Sequence, residues 1–206
     1  MNHIILQKDE KRLIGIMLGD DKPGHPELGS ESRSRNPSTS LRASKFGMTE
    51  GRLDVVLAGE NSEIEVVGLL MAKGESQTAL EVYITHVGEN TKSKVNVRAV
   101  LRGKSTFAFR GNVKIEKGAK GADAYLRSDA LLFDDAKMGD DTPALEILER
   151  DVKAGHAATI GKVDEQMLFY LMSRGITRKQ AEKLLIQGFV ELIRSKLNDE
   201  RLRTKA

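Results

Sequence analysis

The sequence has no cysteine and no tryptophan, and its aromatic side chains are limited to six phenylalanines and three tyrosines. Without cysteine there are no disulfides, no thiolate zinc sites and no cysteine nucleophile. Long apolar runs are missing too. Met167 to Met172 is typical of the stretches present, far short of the roughly 20 residues that span a bilayer. Ile4 to Leu6 is too short for the apolar region of a secretory leader. A soluble, cytoplasmic protein is expected. No sign of charge dominates, with 33 Lys and Arg against 30 Asp and Glu, so the balance itself points to no nucleic-acid partner. None of the GxSxG, P-loop, HExxH or GxGxxG patterns occurs, which leaves little basis for an enzyme.

What is present divides by composition. Residues 1–19 read as an N-terminal hairpin or strands, with Ile4 to Leu6 and Leu13 to Leu18 on either side of a charged segment. Residues 20–46 carry three of the four prolines with many serines and charges and bury too little apolar surface to order themselves, so a flexible loop or insertion containing His25 is expected. Residues 47–163 follow a period of two. Phe107, Phe109, Gly111, Val113 and Ile115 share one phase, and Ala108, Arg110, Asn112 and Lys114 the other. Leu80, Val82 and Ile84 repeat the pattern, as do Val95, Val97, Ala99 and Leu101. Strands starting every 12 to 15 residues between Gly, Asn and Ser turns fit a sandwich, a barrel or a β-solenoid.

Residues 164–206 switch to helical periodicity. Asp164 suits an N-cap and Gly175 a left-handed residue closing a first helix, while Thr177 and Gln180 suit a capping box opening a second. Ala181, Leu185, Gly188, Phe189, Leu192 and Ile193 form the expected inner stripe. Further apolar side chains, Phe169 and Tyr170 among them, leave these stripes and call for a second surface to cover them. A DNA-reading helix-turn-helix needs a polar, basic recognition helix, and this second helix offers Arg178, Lys179 and Lys183, offset by Glu182, on a body whose chemistry suits burial better than a groove.

The acidic run of Asp134, Asp135, Asp140, Asp141, Glu146, Glu149 and Asp151 reads as turn chemistry around Gly139 and Pro143, with a carboxylate-based polysaccharide site as the sharper alternative. His86 and His156 fall on the apolar phase of their strands, where a lone histidine is usually a satisfied core residue. They are also the two imidazoles that a metal would turn to.

The segments THVGENTKSKVNVRAVLRGKSTFAFRGNVKIEKGAKGADAYLRSDALLF at 85–133, TPALEILERDVKAGHAATIGKVDEQMLFYLMSRGI at 142–176 and QGFVELI at 187–193 together resemble the SufB/SufD family of iron-sulfur cluster assembly proteins. That resemblance implies a right-handed parallel β-helix with a C-terminal helical appendage. It implies pairing through the last coils with a SufB-like subunit or with itself as a homodimer, and docking of a SufC-like ABC ATPase on the helices. His156 takes the family's interface histidine position. Phe169, Tyr170, Ser173, Arg174, Gly175, Ile176 and Phe189 fall in the ATPase-docking region. The chain departs from the family in lacking thiolates, since Ala154 stands where SufD-like members often carry cysteine and Arg127 lies near the assembly cysteine of SufB. A SufD-like, non-catalytic scaffold without a cofactor of its own is therefore expected. The alternatives are a homodimeric ATPase adaptor unconnected with cluster assembly and, remotely, a polysaccharide-active β-solenoid enzyme.

Overall fold

The computed structural model describes residues 2–19, 42–43 and 48–197. The alternating pattern becomes eleven strands among these residues: β1 (Asn2–Leu6), β2 (Lys11–Gly19), β3 (Arg42–Ala43), β4 (Met48–Leu57), β5 (Glu63–Ala72), β6 (Gln77–His86), β7 (Lys92–Leu101), β8 (Thr106–Ile115), β9 (Asp123–Leu132), β10 (Lys137–Ile147) and β11 (Lys153–Lys162). They alternate between two sheets, one ordered β1-β4-β6-β8-β10 and the other β11-β9-β7-β5-β2. All pairs in these orders are parallel, and the short β3 pairs antiparallel with β4. A parallel pair needs a crossover, and here each crossover is a strand of the opposite sheet. The result is a two-sheeted β-solenoid, the architecture implied by the family resemblance. β1 and β2 are strands of its first coil and lie in different sheets, which corrects the N-terminal hairpin. The flexible loop expected over 20–46 lies, apart from β3, outside the described residues.

One coil consumes 29 residues where the stack is most regular, because Met48, Gln77 and Thr106 stand in register, as do Glu63 and Lys92. The step shows in the sequence as GENS at 59–62 and GENT at 88–91, and as KGES at 73–76 and RGKS at 102–105. Stacked turns must adopt the same conformation. Asp9, Asn61, Asn90 and Gly121 form one left-handed column, with φ of 57°, 58°, 55° and 70°. Each of their amides donates to a carbonyl of the next coil, as in Asn61 N to Glu89 O at 3.0 Å and Asn90 N to Lys120 O at 2.7 Å. Asn and Asp tolerate this region better than other non-glycine residues, which explains their placement. Gly59 and Gly88 are required for a different reason. A Cβ on Gly88 would lie 2.5 Å from Gly59 O, and one on Gly59 would lie 1.9 Å from Lys8 N.

The core lies between the sheets. Leu53, Val55, Leu57, Leu80, Val82, Ile84, Phe107, Phe109, Val113 and Ile115 face Ile64, Val66, Leu70, Val95, Val97, Ala99, Leu101 and Leu126, all nearly inaccessible. Gly111 leaves room for Leu126, whose Cδ1 would be 2.4 Å from an added Cβ. β5 breaks the alternation, with Val66 to Leu70 buried without interruption. A strand covered on both faces loses its polar phase, and the outer cover is the second helix.

Two helices follow the strands, α1 (Glu165–Ser173) and α2 (Arg178–Leu197). Asp164 caps α1 by accepting from the Gln166 and Met167 amides, and Gly175 follows the Arg174 cap at φ 91°. The Thr177 amide donates to Gln180 Oε1 at 2.9 Å, while the Gln180 amide donates to Thr177 Oγ1 at 3.3 Å, completing the capping box. α2 lies over the outer face of the second sheet. Val190 and Ile193 are buried there with Val67, Leu69, Val100 and Phe133, and Ile186, Phe189, Leu13 and Leu131 pack around them. This shifts the expected stripe. Ile186 and Val190 face the sheet, whereas Leu192 is half exposed and Gly188 is open to solvent. Gly88→Ala is expected to lower stability by roughly 1–3 kcal/mol, as forced overpacking does. Gly188→Ala, in open helix, should raise it by about 0.5–1 kcal/mol. Urea unfolding midpoints of the two variants provide the check.

Candidate functional site

Inward rows are covered by the next coil everywhere except at the end of the stack. Among the described residues β10 and β11 each pair on one side only, leaving two neighbouring unpaired strand edges. The register places Met138, Asp141, Pro143, Leu145 and Ile147 on the inward phase of β10, and Ala154, His156, Ala158 and Ile160 on that of β11. Their counterparts one coil back are buried, whereas Ile147 is 43% and Ile160 50% exposed, with Leu148 at 51% beside them. Apolar side chains of core type thus meet solvent across this end, as at an interface.

His156 is exposed because of this position, although it shares its phase with buried Leu126. His86 is the opposite case. It is inaccessible, and both ring nitrogens are engaged at 2.8 Å, Nδ1 with Thr91 Oγ1 and Nε2 with Ser93 Oγ. Since the Thr91 hydroxyl donates to Gly88 O, it accepts from Nδ1–H, and Ser93 then donates to Nε2. Burial lowers the His86 pKa to about 4. His86 is a satisfied core histidine with no lone pair free for a metal. Of the two imidazoles, only His156 is accessible. Among the described residues no three His, Asp or Glu side chains cluster as metal ligands.

Arg127 and Ala154, the two positions at which the family resemblance leads to cysteine, point differently. Ala154 faces inward at the open end, while Arg127 faces outward and its Nε donates to Asp129 Oδ2 at 2.8 Å. The acidic run also divides. Asp134 accepts from the Gly103 amide, Glu149 from those of Gly118 and Arg150, and Asp140 pairs with Arg110 at 3.0 Å. These are turn and surface roles. Asp141 lies in a strand rather than in the expected turn, and a register shift between Met138 and Asp141 sets it in line with buried Phe109. Both its carboxylate oxygens are buried without a hydrogen-bond partner. Desolvation raises its pKa, and Asp140 and Asp129 reinforce the shift. The Ser128 hydroxyl opposes it from nearby, without good hydrogen-bond geometry. Sequence reading grouped Asp141 with the turn acids; its even spacing with Pro143, Leu145 and Ile147 was the available signal.

The second surface is the helical hairpin. Leu168 and Ala181 are buried, and Arg178 bridges to Glu165 at 2.7 and 3.0 Å. Outward stand Phe169, 74% exposed, with Met167, Tyr170, Met172 and Leu184. Arg174 Nη2 donates to the Tyr170 hydroxyl at 3.1 Å, with its guanidinium 5.1 Å from the ring centroid. Ser173 Oγ donates to Tyr170 O, so Tyr170, Ser173 and Arg174 form one fixed cluster. Gly175 is exposed and Ile176 half-buried beside it. Phe189 belongs elsewhere: it packs toward the sheet, Arg98 lies 5.2 Å over its ring, and Arg98 donates to its carbonyl. No helix of the described residues is long and apolar enough to cross a membrane.

A parallel β-solenoid with an open last coil and a helical hairpin defines the class. Residues 30–189 match the family described as SUF system FeS cluster assembly, SufBD core domain, and the chain belongs to this family. An iron-sulfur cluster assembly SufBD family protein of Mycobacterium bovis is 38% identical over 143 residues, which is 69% of this chain and 17% of that protein. The iron-sulfur cluster assembly protein SufD of Bacillus subtilis is 37% identical over 134 residues, 65% of this chain and 31% of its own length. SufB of the same organism is 33% identical over 137 residues, 66% and 29% respectively. The chain thus spans under a third of these relatives.

The buried imidazole sets a pH dependence. Its native pKa of about 4 lies below the unfolded value near 6.5, so the unfolded state binds the proton first and stability is lost as pH falls through that window. The loss from His86 should reach about 3 kcal/mol by pH 4. Asp141 titrates with the opposite sign, so the comparison is between wild type and His86→Leu. The stability advantage of wild type in denaturant melts is expected to shrink from pH 7 to pH 4.

Proposed function

We propose that this chain is a non-catalytic, SufD-like scaffold of a cytoplasmic Suf-type iron-sulfur cluster assembly complex. Its last coil meets a SufB-like subunit or a second copy of itself, and its helical hairpin docks a SufC-like ABC ATPase. The observation that carries this reading is the match of residues 30–189 to the SufBD core domain, together with core-type side chains left open at the end of that domain. His156 occupies that open end and therefore counts as an interface residue. The docking surface comprises Phe169, Tyr170, Ser173, Arg174, Gly175 and Ile176. Phe189 is excluded because it already packs on the sheet.

The Tyr170–Arg174 cluster suits an anchor. Aromatic and arginine side chains dominate binding hot spots, and this pair is held in place before binding. Replacing both with alanine is expected to cost about 2–4 kcal/mol of ATPase affinity. Calorimetric titration with the cognate ATPase measures the loss, and unchanged affinity would place docking elsewhere. Self-association should survive, being assigned to β10 and β11.

The lack of cysteine favours a second reading, an ATPase adaptor that never touches iron. Both readings predict that anaerobic reconstitution with iron and sulfide leaves the isolated chain colourless, because soft thiolate ligands are missing. A stoichiometric visible chromophore would overturn that expectation. A pull-down from the native host separates the readings, since the first brings down a SufB-like subunit or other iron-sulfur assembly proteins with the ATPase, and the second, a homodimeric adaptor, brings down the ATPase without them.

A further inference from the structure

We propose that Asp141 is a pH-sensitive latch on the last coil: as a neutral acid it holds the first half of β10 against the core, and on ionisation it releases the segment from Met138 to Pro143. The inference goes beyond the proposed function and does not depend on it, because every group involved belongs to the single chain.

A β-bulge decides which of two consecutive aspartates is buried. Met138 stands opposite Phe107 and Asp141 opposite Phe109, so Gly139 and Asp140 together oppose Ala108. Without the extra residue the phases would exchange, with Asp140 turned inward and Asp141 outward. With it, Asp140 stays outside, where the Thr142 hydroxyl and Arg110 hold its carboxyl below the usual carboxylate range. Asp141 goes inside, and neither of its buried oxygens has a hydrogen-bond partner.

The surroundings disfavour its charge. Of the strands packed against β10, β8 presents Phe107 and Phe109 on the inward phase, β9 presents Leu126 and Ser128, and β11 presents His156 and Ala158. His156 is the ionisable group among these. Outside, Arg110 is paired with Asp140 and Glu81, and Arg98 and Arg127 with Asp129. Desolvation raises the Asp141 pKa, and the charges of Asp140 and Asp129 add to the shift. A neutral carboxyl costs far less in such a place than a carboxylate, and its O–H gives it a donor to offer the neighbouring Ser128 hydroxyl.

The same stretch is poorly tied to the sheet. Pro143 has no amide N–H, the bulge interrupts the ladder to β8, and the other edge of β10 has no partner strand among the described residues. A strand held by few backbone bonds opens locally before the whole fold does. The folded acid keeps its proton to higher pH than the unfolded one. The latch is therefore fully closed below the unfolded value of about 3.8 and is lost as pH rises through the folded one.

The test is native-state hydrogen exchange on the full-length chain. Wild type and the near-isosteric Asp141→Asn are compared at each pH from about pH 4 to pH 8, so that the intrinsic exchange rate cancels. The β10 amides should be equally protected in both at the acid end. Above the Asp141 pKa, wild type should lose protection relative to Asp141→Asn by up to about tenfold per pH unit, while β6 keeps one ratio throughout. A flat ratio in β10 overturns the latch. His156→Gln should retain the wild-type profile, and its disappearance there would assign the effect to the imidazole and overturn the latch as well. If Asp141→Asn does not fold, carboxyl NMR of wild type decides: Asp141 should titrate above the unfolded value, with the same midpoint as the β10 amide signals. An ordinary midpoint, or two separate ones, overturns the proposal.

Discussion

The structure depends on one constraint: consecutive coils must present their backbones at the same height, turn upon turn. Parallel ladders on both sheets hold neighbouring coils in register, with one shift between Met138 and Asp141, so each turn has to match the conformation below it. The left-handed column of Asp9, Asn61, Asn90 and Gly121 and the close approach of Gly59 and Gly88 meet that requirement. Once the turns agree, the inward phases of all strands align and the core forms between the sheets. His86 enters this core with both ring nitrogens engaged, by Thr91 and Ser93.

A stack built this way satisfies every coil except those at its ends. At β10 and β11 the interior pattern continues into a layer that nothing covers within the described residues. Leu145 and Ala154 still pack on the core, but Ile147, Ile160 and His156 emerge into solvent. Residue types that serve as filler elsewhere stand exposed here through position alone. This is why an alanine-rich strand with one histidine counts as part of a candidate site, while the chemically similar His86 does not.

Much of this was readable from residues alone. The phases of β6, β7 and β8, the Asp164 cap, Gly175 and the Thr177–Gln180 box stand where local chemistry puts them, because each depends on neighbours within a few positions. The missed features depend on distant partners. β1 and β2 look like a hairpin until their mates in β4 and β5 are known. Gly188 and Leu192 were expected on the inner side of α2, where Ile186 and Val190 lie instead, because the helix is apolar on more than one side and only the sheet decides which side is inner. The GENS and GENT turns announce the 29-residue coil plainly, yet half a period, the strand spacing, dominates the signal. Asp141 escaped notice because acids near glycine and proline ordinarily mark turns, whereas here a register shift holds the chain in the ladder.

The course of α2 alters how the solenoid bears load. In a stack of repeats each coil ordinarily touches only its neighbours, and the terminal one can peel away without disturbing the rest. Here a single helix crosses the outer face of the second sheet. Its side chains reach Phe133 and Leu131 after and within β9, Val100 in β7, Val67 and Leu69 in β5 and Leu13 in β2. Arg102–Glu182 and Lys196–Glu65 fasten it at either end. The helix acts as a batten nailed across planks: a pull on the hairpin is shared among four strands at once, and the sheet answers it as one plate rather than one strip at a time.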